Sequence, residues 1–369
     1  MNLRVAKRVD LQLRVYLLLR LRDHPARYAL PELRRRVRTA ANSARCGPHE
    51  VSSQPRSRIQ TARLRPVVWP ALPPADWPDT YATLHMWAQI VGKTRLALAP
   101  MENHWWQVAF YVSARGLTTS PMPHGDRSLE VEFDFISHQL WIRVSDGAVR
   151  SLPLTSMTVA DFFDRYVTLL NDLGVVLKIH PTPVEIEVAI PFAKDRVHGT
   201  YRPEAARLCW LILLDAHNVM KEFRGRFVGK QSPVHFFWGS FDLACTRFSG
   251  RRAPRHPGGA PHCPDWVMVE AYSHECASCG FWPGDGKSQA FFYAYAYPEP
   301  EGYAERPMEA GARYDTALRE FVLPYEAVHT AADPDAMLLR FFQSTYEAAA
   351  DTGKWDRTAL DWTGKSFLT

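Results

Sequence analysis

Cysteine is scarce in this chain, 6 in 369 residues, and the strongest aliphatic run, Leu208 to Leu214, stops at Asp215. The first scarcity excludes a disulfide scaffold and, with no Asn-x-Ser/Thr sequon in the sequence, points to a reducing compartment. The second falls far short of the roughly 20 apolar residues that span a bilayer. Val15 to Leu19 is apolar but lies between Arg14 and Arg20 with no small-residue cleavage site after it, which excludes an export signal of the usual kind. A cytoplasmic protein with no membrane partner is the expectation. Also missing are a nucleophile elbow, a dinucleotide fingerprint, a His-Glu-x-x-His helix and the kinase signatures. What is present is 46% hydrophobic and 22% charged, the composition of a globular chain with ample core.

The formal charge of +5 is unevenly spread. Residues 1–66 hold 16 Lys+Arg and 4 Asp+Glu, which leaves 28 basic and 35 acidic residues for the rest. A basic head therefore precedes an acidic body at 67–369, and nucleic acid is not an expected partner of that body. The head reads as a disordered arm, as an arm for nucleic acid or an acidic membrane surface, or as upstream sequence joined by a misplaced start, the true start then lying near Val67 or Val68.

Within the body, Asp76 and Pro78 open a helix whose apolar positions run Tyr81, Leu84, Trp87, Ala88, Val91, with Gly92 as its stop. Extended segments are expected at Thr94–Leu98, Trp105–Ser113, Leu129–Ile136 and Gln139–Val144. A helix capped by Thr158 follows, with Phe162, Tyr166 and Leu170 on its apolar face and Gly174 at its end. Val175–Ile190 reads as an edge strand broken by prolines. A second cycle runs through a helix at Pro203–Val228, strands at Val234–Thr246, Trp266–Tyr272, Ala290–Tyr297 and Glu320–Pro324, and a helix capped by Asp333. The expected fold class is α+β, mostly antiparallel sheet with packed helices.

The two cycles share motifs. Val-Gly-Lys closes the first helix of each, at Val91 and at Val228; His-aromatic-aromatic follows, at His104 and His235; acid-x-x-Ser-His ends at His138 and His274. This predicts an internal duplication, about 77–190 and 203–350. Both Gly-Lys pairs follow helices rather than opening them, so Lys93 and Lys230 read as helix-end charges and not as a phosphate loop.

The densest polar and aromatic stretch is Gly229 to Arg252. As one extended strand it puts His235 and Asp242 on opposite faces, with Trp238 beside Asp242. Glu270 and His274 share a strand face but stand about 13 Å apart. They cannot form one acid-base pair with each other, whereas Glu270 or Asp134 can meet a histidine of the other half. Cys276 and Cys279 beside His274 resemble half a zinc site, with Cys263 as a further thiol, but a second knuckle is missing.

The residues from Trp69 to Asp361, and above all GKQSPVHFFWGSFD, EAYSHE and GFWPG, resemble a bacterial family of uncharacterised proteins. The resemblance implies a cytoplasmic protein of one recurring architecture and brings no activity or cofactor; thiols at Cys276 and Cys279 are not part of its pattern. The leading functional expectation is a small-molecule enzyme or ligand-binding protein with one pocket near the junction of the halves. His104, His235, His274, Asp134, Asp242 and Glu270 are its acid-base candidates. Arg247 or Arg251 would hold an anionic group, and Trp238 and Tyr272 would line the site. The rival is a protein-interaction or structural module in which these residues only satisfy the core.

Overall fold

The computed structural model describes residues 69–72, 77–309 and 311–364, all in the unit Val67–Thr369. The basic head and the expected cap Asp76 lie outside the described residues.

The first helix, α1 (Trp77–Leu98), is buried on nearly every side. Its weak amphipathicity follows from that position, because a helix with no wet face needs no polar stripe. Its buried polar groups must then find partners inside the protein, and several do, although Trp87 Nε1 and Arg95 Nε have none among the described residues. The Gln89 amide donates to Val184 O at 2.7 Å and accepts from Val184 N at 2.8 Å, and Tyr166 Oη donates to Thr94 Oγ1 at 3.0 Å. Gly92 is not a stop: the helix runs six residues further, through the expected strand Thr94–Leu98. The glycine is there because the Trp238 indole lies on it, so that a Cβ would come within 2.3 Å of the ring.

A short 3-10 segment, Asn103–Val108, leads into the first sheet. Its strands are β1 (Tyr111–Val112), β2 (Gly116–Thr118), β3 (Met122–His124), β4 (Arg127–Asp134), β5 (Gln139–Val144) and β6 (Val149–Pro153). They run antiparallel in the order β1-β2-β4-β5-β6, with β3 also on β4. Helix α2 (Val159–Asp172) covers this sheet. Thr158 caps it, its side chain accepting from Asp161 N, a contact worth about 1 kcal/mol, and Phe162 stacks on Trp87 at 4.7 Å. Residues 175–190 form no strand. The Gln89 amide pairs with both backbone groups of Val184, as a neighbouring strand would have done, while Val175 N and Glu185 N donate to Leu170 O and Pro261 O.

Helix α3 (Pro203–Gly225) ends three residues before the expected stop. The second sheet contains β7 (His235–Phe237), β8 (Asp242–Arg252), β9 (His274–Trp282), β10 (Phe291–Tyr297), β11 (Arg313–Asp315) and β12 (Glu320–Pro324), in the antiparallel order β11-β12-β10-β9-β8-β7. Between β8 and β9 lies α4 (Asp265–Ala271). Then come α5 (Tyr325–His329), α6 (Pro334–Thr352), capped by Asp333 as expected, and α7 (Arg357–Leu360). One antiparallel bridge, Phe110 with Phe236, joins the two sheets through a pair of 2.8 Å hydrogen bonds.

The α+β class holds, with two six-stranded antiparallel sheets. The motif pairs that suggested duplication do not occupy matching places. Asp134–His138 is a β-turn, whereas Glu270–His274 runs from a helix into a strand, and Gly92 sits inside a helix while Gly229 follows one.

Candidate functional site

The expected strand Val234–Thr246 is a hairpin. Trp238 to Phe241 form its turn, with Phe241 at φ 60°, and the reversal changes the side-chain phase. Phe237 pairs with Asp242 and His235 with Ala244, which brings His235 and Asp242 to one face, a correction to the opposite faces expected from a single strand. Registers with β9 and β10 extend that face through Thr246, Ser278 and Tyr295, then Phe248, Cys276 and Tyr297. The other face carries Cys245, Arg247 and Cys279 against α3 and α6.

On the shared face the hydrogen bonding is selective. Tyr293 Oη donates to Asp242 Oδ2, and Ser240 Oγ donates to Oδ1. Gly280 makes room for the Tyr293 ring, since a Cβ there would stand 2.2 Å from its hydroxyl. Burial raises the Asp242 pKa, against the opposing effect of these two donors. His235 is fully buried with neither ring nitrogen bonded to a described residue. Burial, with Arg95 and Arg224 nearby, lowers its pKa to about 3, so it is a neutral packing residue among Trp106, Tyr111 and Phe237.

A cleft of about 490 Å³ opens at the far end of this face. Tyr272, Tyr295, Tyr297 and His256 line it, with Glu299 and Glu320. The rings form one cluster: His256 stacks on Tyr272 at 4.7 Å and lies 5.0 Å from Tyr297, and the hydroxyls of Tyr272 and Tyr295 are 2.8 Å apart. Glu299 is neutralised by Arg319 at 3.3 Å and accepts from Tyr314 Oη. Glu320 has no hydrogen-bond or ion-pair partner among the described residues, and burial, reinforced by Asp242 and Asp315, raises its pKa to about 7.

On the other side of the α4–β9 junction, three expected residues converge with a fourth. His104 N donates to Glu270 Oε1 at 3.1 Å, the two imidazoles of His104 and His274 stand 5.6 Å apart, and Lys230 Nζ lies 2.7 Å from His104 Nε2. Because His104 Nδ1 meets the Ala271 carbonyl at 3.0 Å, Nδ1 must carry the proton and Nε2 must accept from the lysine. Burial, aided by Lys230, lowers the His104 pKa and keeps that ring neutral. Partial burial likewise lowers the Lys230 pKa, with Glu270 opposing. Lys230 lies over the faces of Phe248 at 5.0 Å and Trp106 at 5.5 Å. His104 and Trp105 both take left-handed backbone conformations, φ 57° and 61°, at a cost of about 1–2 kcal/mol each for side chains of this size.

The remaining expected residues are elsewhere. Asp134 ends β4, where Oδ1 caps the turn by accepting from Ile136 N and Ser137 N and Oδ2 pairs with Arg115 at 2.6 Å. Burial opposes ionisation there, but these donors win and lower its pKa to about 2. Arg247 is fully buried on the helix-covered face, boxed by Phe223 at 3.5 Å and Tyr346 at 4.3 Å and donating to Phe223 O. It faces away from the cleft. Arg251 is a surface clamp, bonded to Glu275 and to the carbonyls of Gly353 and Lys354 at the end of α6. Trp238 packs on α1 and donates to Val108 O at 2.7 Å. The expected strand Trp266–Tyr272 is α4, which is why Glu270 and Tyr272 point to different sides. Cys276 and Cys279 stand three apart on β9 and so face opposite sides, which removes the half zinc site. Among the described residues no group of three or more His, Cys, Asp or Glu side chains is placed to hold a metal ion.

Sequence reasoning missed Glu320, Tyr295, Tyr297 and the contact made by Lys230. The alternation in FFYAYAY, a tyrosine at every second residue, was the available signal for the cleft.

An α+β protein of two antiparallel sheets, with its polar and aromatic groups gathered on one face of the second, is the class this geometry defines. Over residues 69–362 the chain matches the model of a family of unknown function (DUF5996), and it belongs to that family. No curated protein and no solved structure matches it.

Proposed function

We propose that the protein binds a small organic cation, a primary or methylated amine, in the tyrosine-lined cleft. The observation that carries this reading is Glu320, a carboxylate without a partner among the described residues, set among four aromatic rings in a cleft of ligand size. Aromatic faces attract ammonium groups by about 0.5–2 kcal/mol, and a carboxylate beneath them adds charge pairing. Tyr272, which the sequence marks as a binding residue, supplies one of the rings. The junction location supposed from sequence shifts to the open face of the second sheet.

Titration calorimetry with benzylamine and with its neutral analogue benzyl alcohol tests the reading. The amine is expected to bind about tenfold or more tightly than the alcohol. Its affinity should strengthen as pH rises from 6 to 8, because Glu320, with its pKa near 7, must lose its proton to pair with the ammonium. Glu320→Gln and Tyr295→Ala should both weaken binding. Equal affinity for amine and alcohol, or retention of binding in Glu320→Gln, refutes the proposal and favours the interaction-module alternative.

A further inference from the structure

We propose that Lys230 is a carbonyl-reactive amine for which His104 is the proton acceptor, and that it forms an imine with an aldehyde or ketone that reaches it from solvent beside Trp106 and Phe248. This site is separate from the tyrosine-lined cleft and does not rest on the amine-binding reading.

The geometry supports it at each point. The Lys230 Nζ to His104 Nε2 distance of 2.7 Å is that of a charge-assisted hydrogen bond, and the Ala271 carbonyl fixes the tautomer that leaves Nε2 free to accept. The backbone gives up its ordinary conformation at two consecutive residues, His104 and Trp105, to place that ring. The Glu270 carboxylate is spent on the His104 N–H and is thus a positioning residue. A surface lysine that serves only solubility needs none of this support. Lys230 is nevertheless exposed, so a substrate can reach it. The other charged or titratable groups around the pair are Glu270, His274 and Arg252. Partial desolvation favours the neutral amine that the reaction needs.

The chemistry balances without an added oxidant or reductant. The Lys230 ammonium gives a proton to His104 Nε2, and the amine attacks the carbonyl carbon to form the C–N bond. The alkoxide formed takes a second proton from the attacking nitrogen, and the resulting hydroxyl takes the first proton back from His104 and leaves as water. The product iminium keeps the positive charge that the ammonium had, so the faces of Phe248 and Trp106 stabilise it as they stabilised the lysine.

The full chain treated with propanal and sodium cyanoborohydride at pH 7, followed by peptide mass mapping over time, tests the assignment. Lys230 should acquire the propyl group about tenfold or more faster than the exposed Lys221 and Lys287. His104→Ala and Glu270→Ala should each remove that advantage, with the rates at Lys221 and Lys287 unchanged. The buried Lys93 should stay unlabelled in every variant and so reports an intact fold; where it does not, His104→Gln replaces His104→Ala. Labelling of Lys230 at the rate of Lys221 and Lys287 in the unaltered chain overturns the proposal, as does an undiminished rate in a folded His104 variant.

Discussion

Gly92→Ala sets helix propensity against packing. In an ordinary helix interior the exchange stabilises by about 1 kcal/mol. Here the new Cβ would meet three indole atoms of Trp238 at 2.3–2.4 Å. The indole is not free to retreat, because Nε1 is bonded to Val108 O and the ring is buried. Overpacking costs about 1–3 kcal/mol, and a strained or broken Trp238 hydrogen bond about 0.5–1.5 kcal/mol more. Set against the propensity gain, the net expectation is a loss of about 1–3 kcal/mol. Urea unfolding followed by tryptophan fluorescence measures it, and Gly225→Ala is the control. Gly225 closes α3, and a methyl group added there would have nothing within 4 Å, so that change should be neutral or stabilising by up to about 1 kcal/mol. A Gly92→Ala variant as stable as the parent would refute the packing of Trp238 on α1, and with it the explanation of why a glycine stands inside a buried helix.

Three further outcomes follow from ionisation and thiol placement. Glu320 has a raised folded-state pKa, so its contribution to stability is lost as pH rises from about 4.5 through about 7; Glu320→Gln should equal the parent at pH 4 and exceed it by about 1–2 kcal/mol at pH 8 by denaturant titration, and equality at pH 8 would contradict the burial argument. Asp134 is the opposite case, its pKa lowered to about 2, so its contribution is present above about 3.8 and lost as pH falls through 2; Asp134→Asn should cost about 1 kcal/mol at pH 7, since Arg115 is half-exposed, with the gap closing in acid. Chelation by EDTA should leave the melting temperature unchanged, since Cys276 and Cys279 face opposite sides of β9; a fall of several degrees would show that a metal holds the fold.

Periodic segments were legible in the sequence. β5 matches its expected span, α2 and α6 carry the expected caps, and the apolar face of α2 is the buried one. What was not legible depended on distant partners. Gly92 looks like a stop until Trp238 lies on it, and residues 175–190 look like a strand until Gln89, Leu170 and Pro261 take up backbone groups at Val184, Val175 and Glu185. The hairpin in VHFFWGSFD was hidden because its turn signal is only the Gly239-Ser240 pair, set between aromatics whose alternation fits a single strand equally well. The same gap affected the site. His104, Glu270 and His274 were named as candidates from residue type, while the histidine's nearest partner, Lys230, looked like a helix-end charge because nothing local records a contact across 126 positions.

The bridge between Phe110 and Phe236 has an evolutionary meaning. With the Trp238 bond to Val108 O it seats the 3-10 segment against the second sheet, and the imidazole that meets Lys230 comes from that segment. Recombination that carried the second sheet into another protein would bring Lys230, Glu270 and His274 and leave their partner behind. The tyrosine-lined cleft, built wholly from residues 256–320, would travel intact. Of the two, only the cleft is portable, and the Lys230–His104 contact ties both sheets to one inheritance.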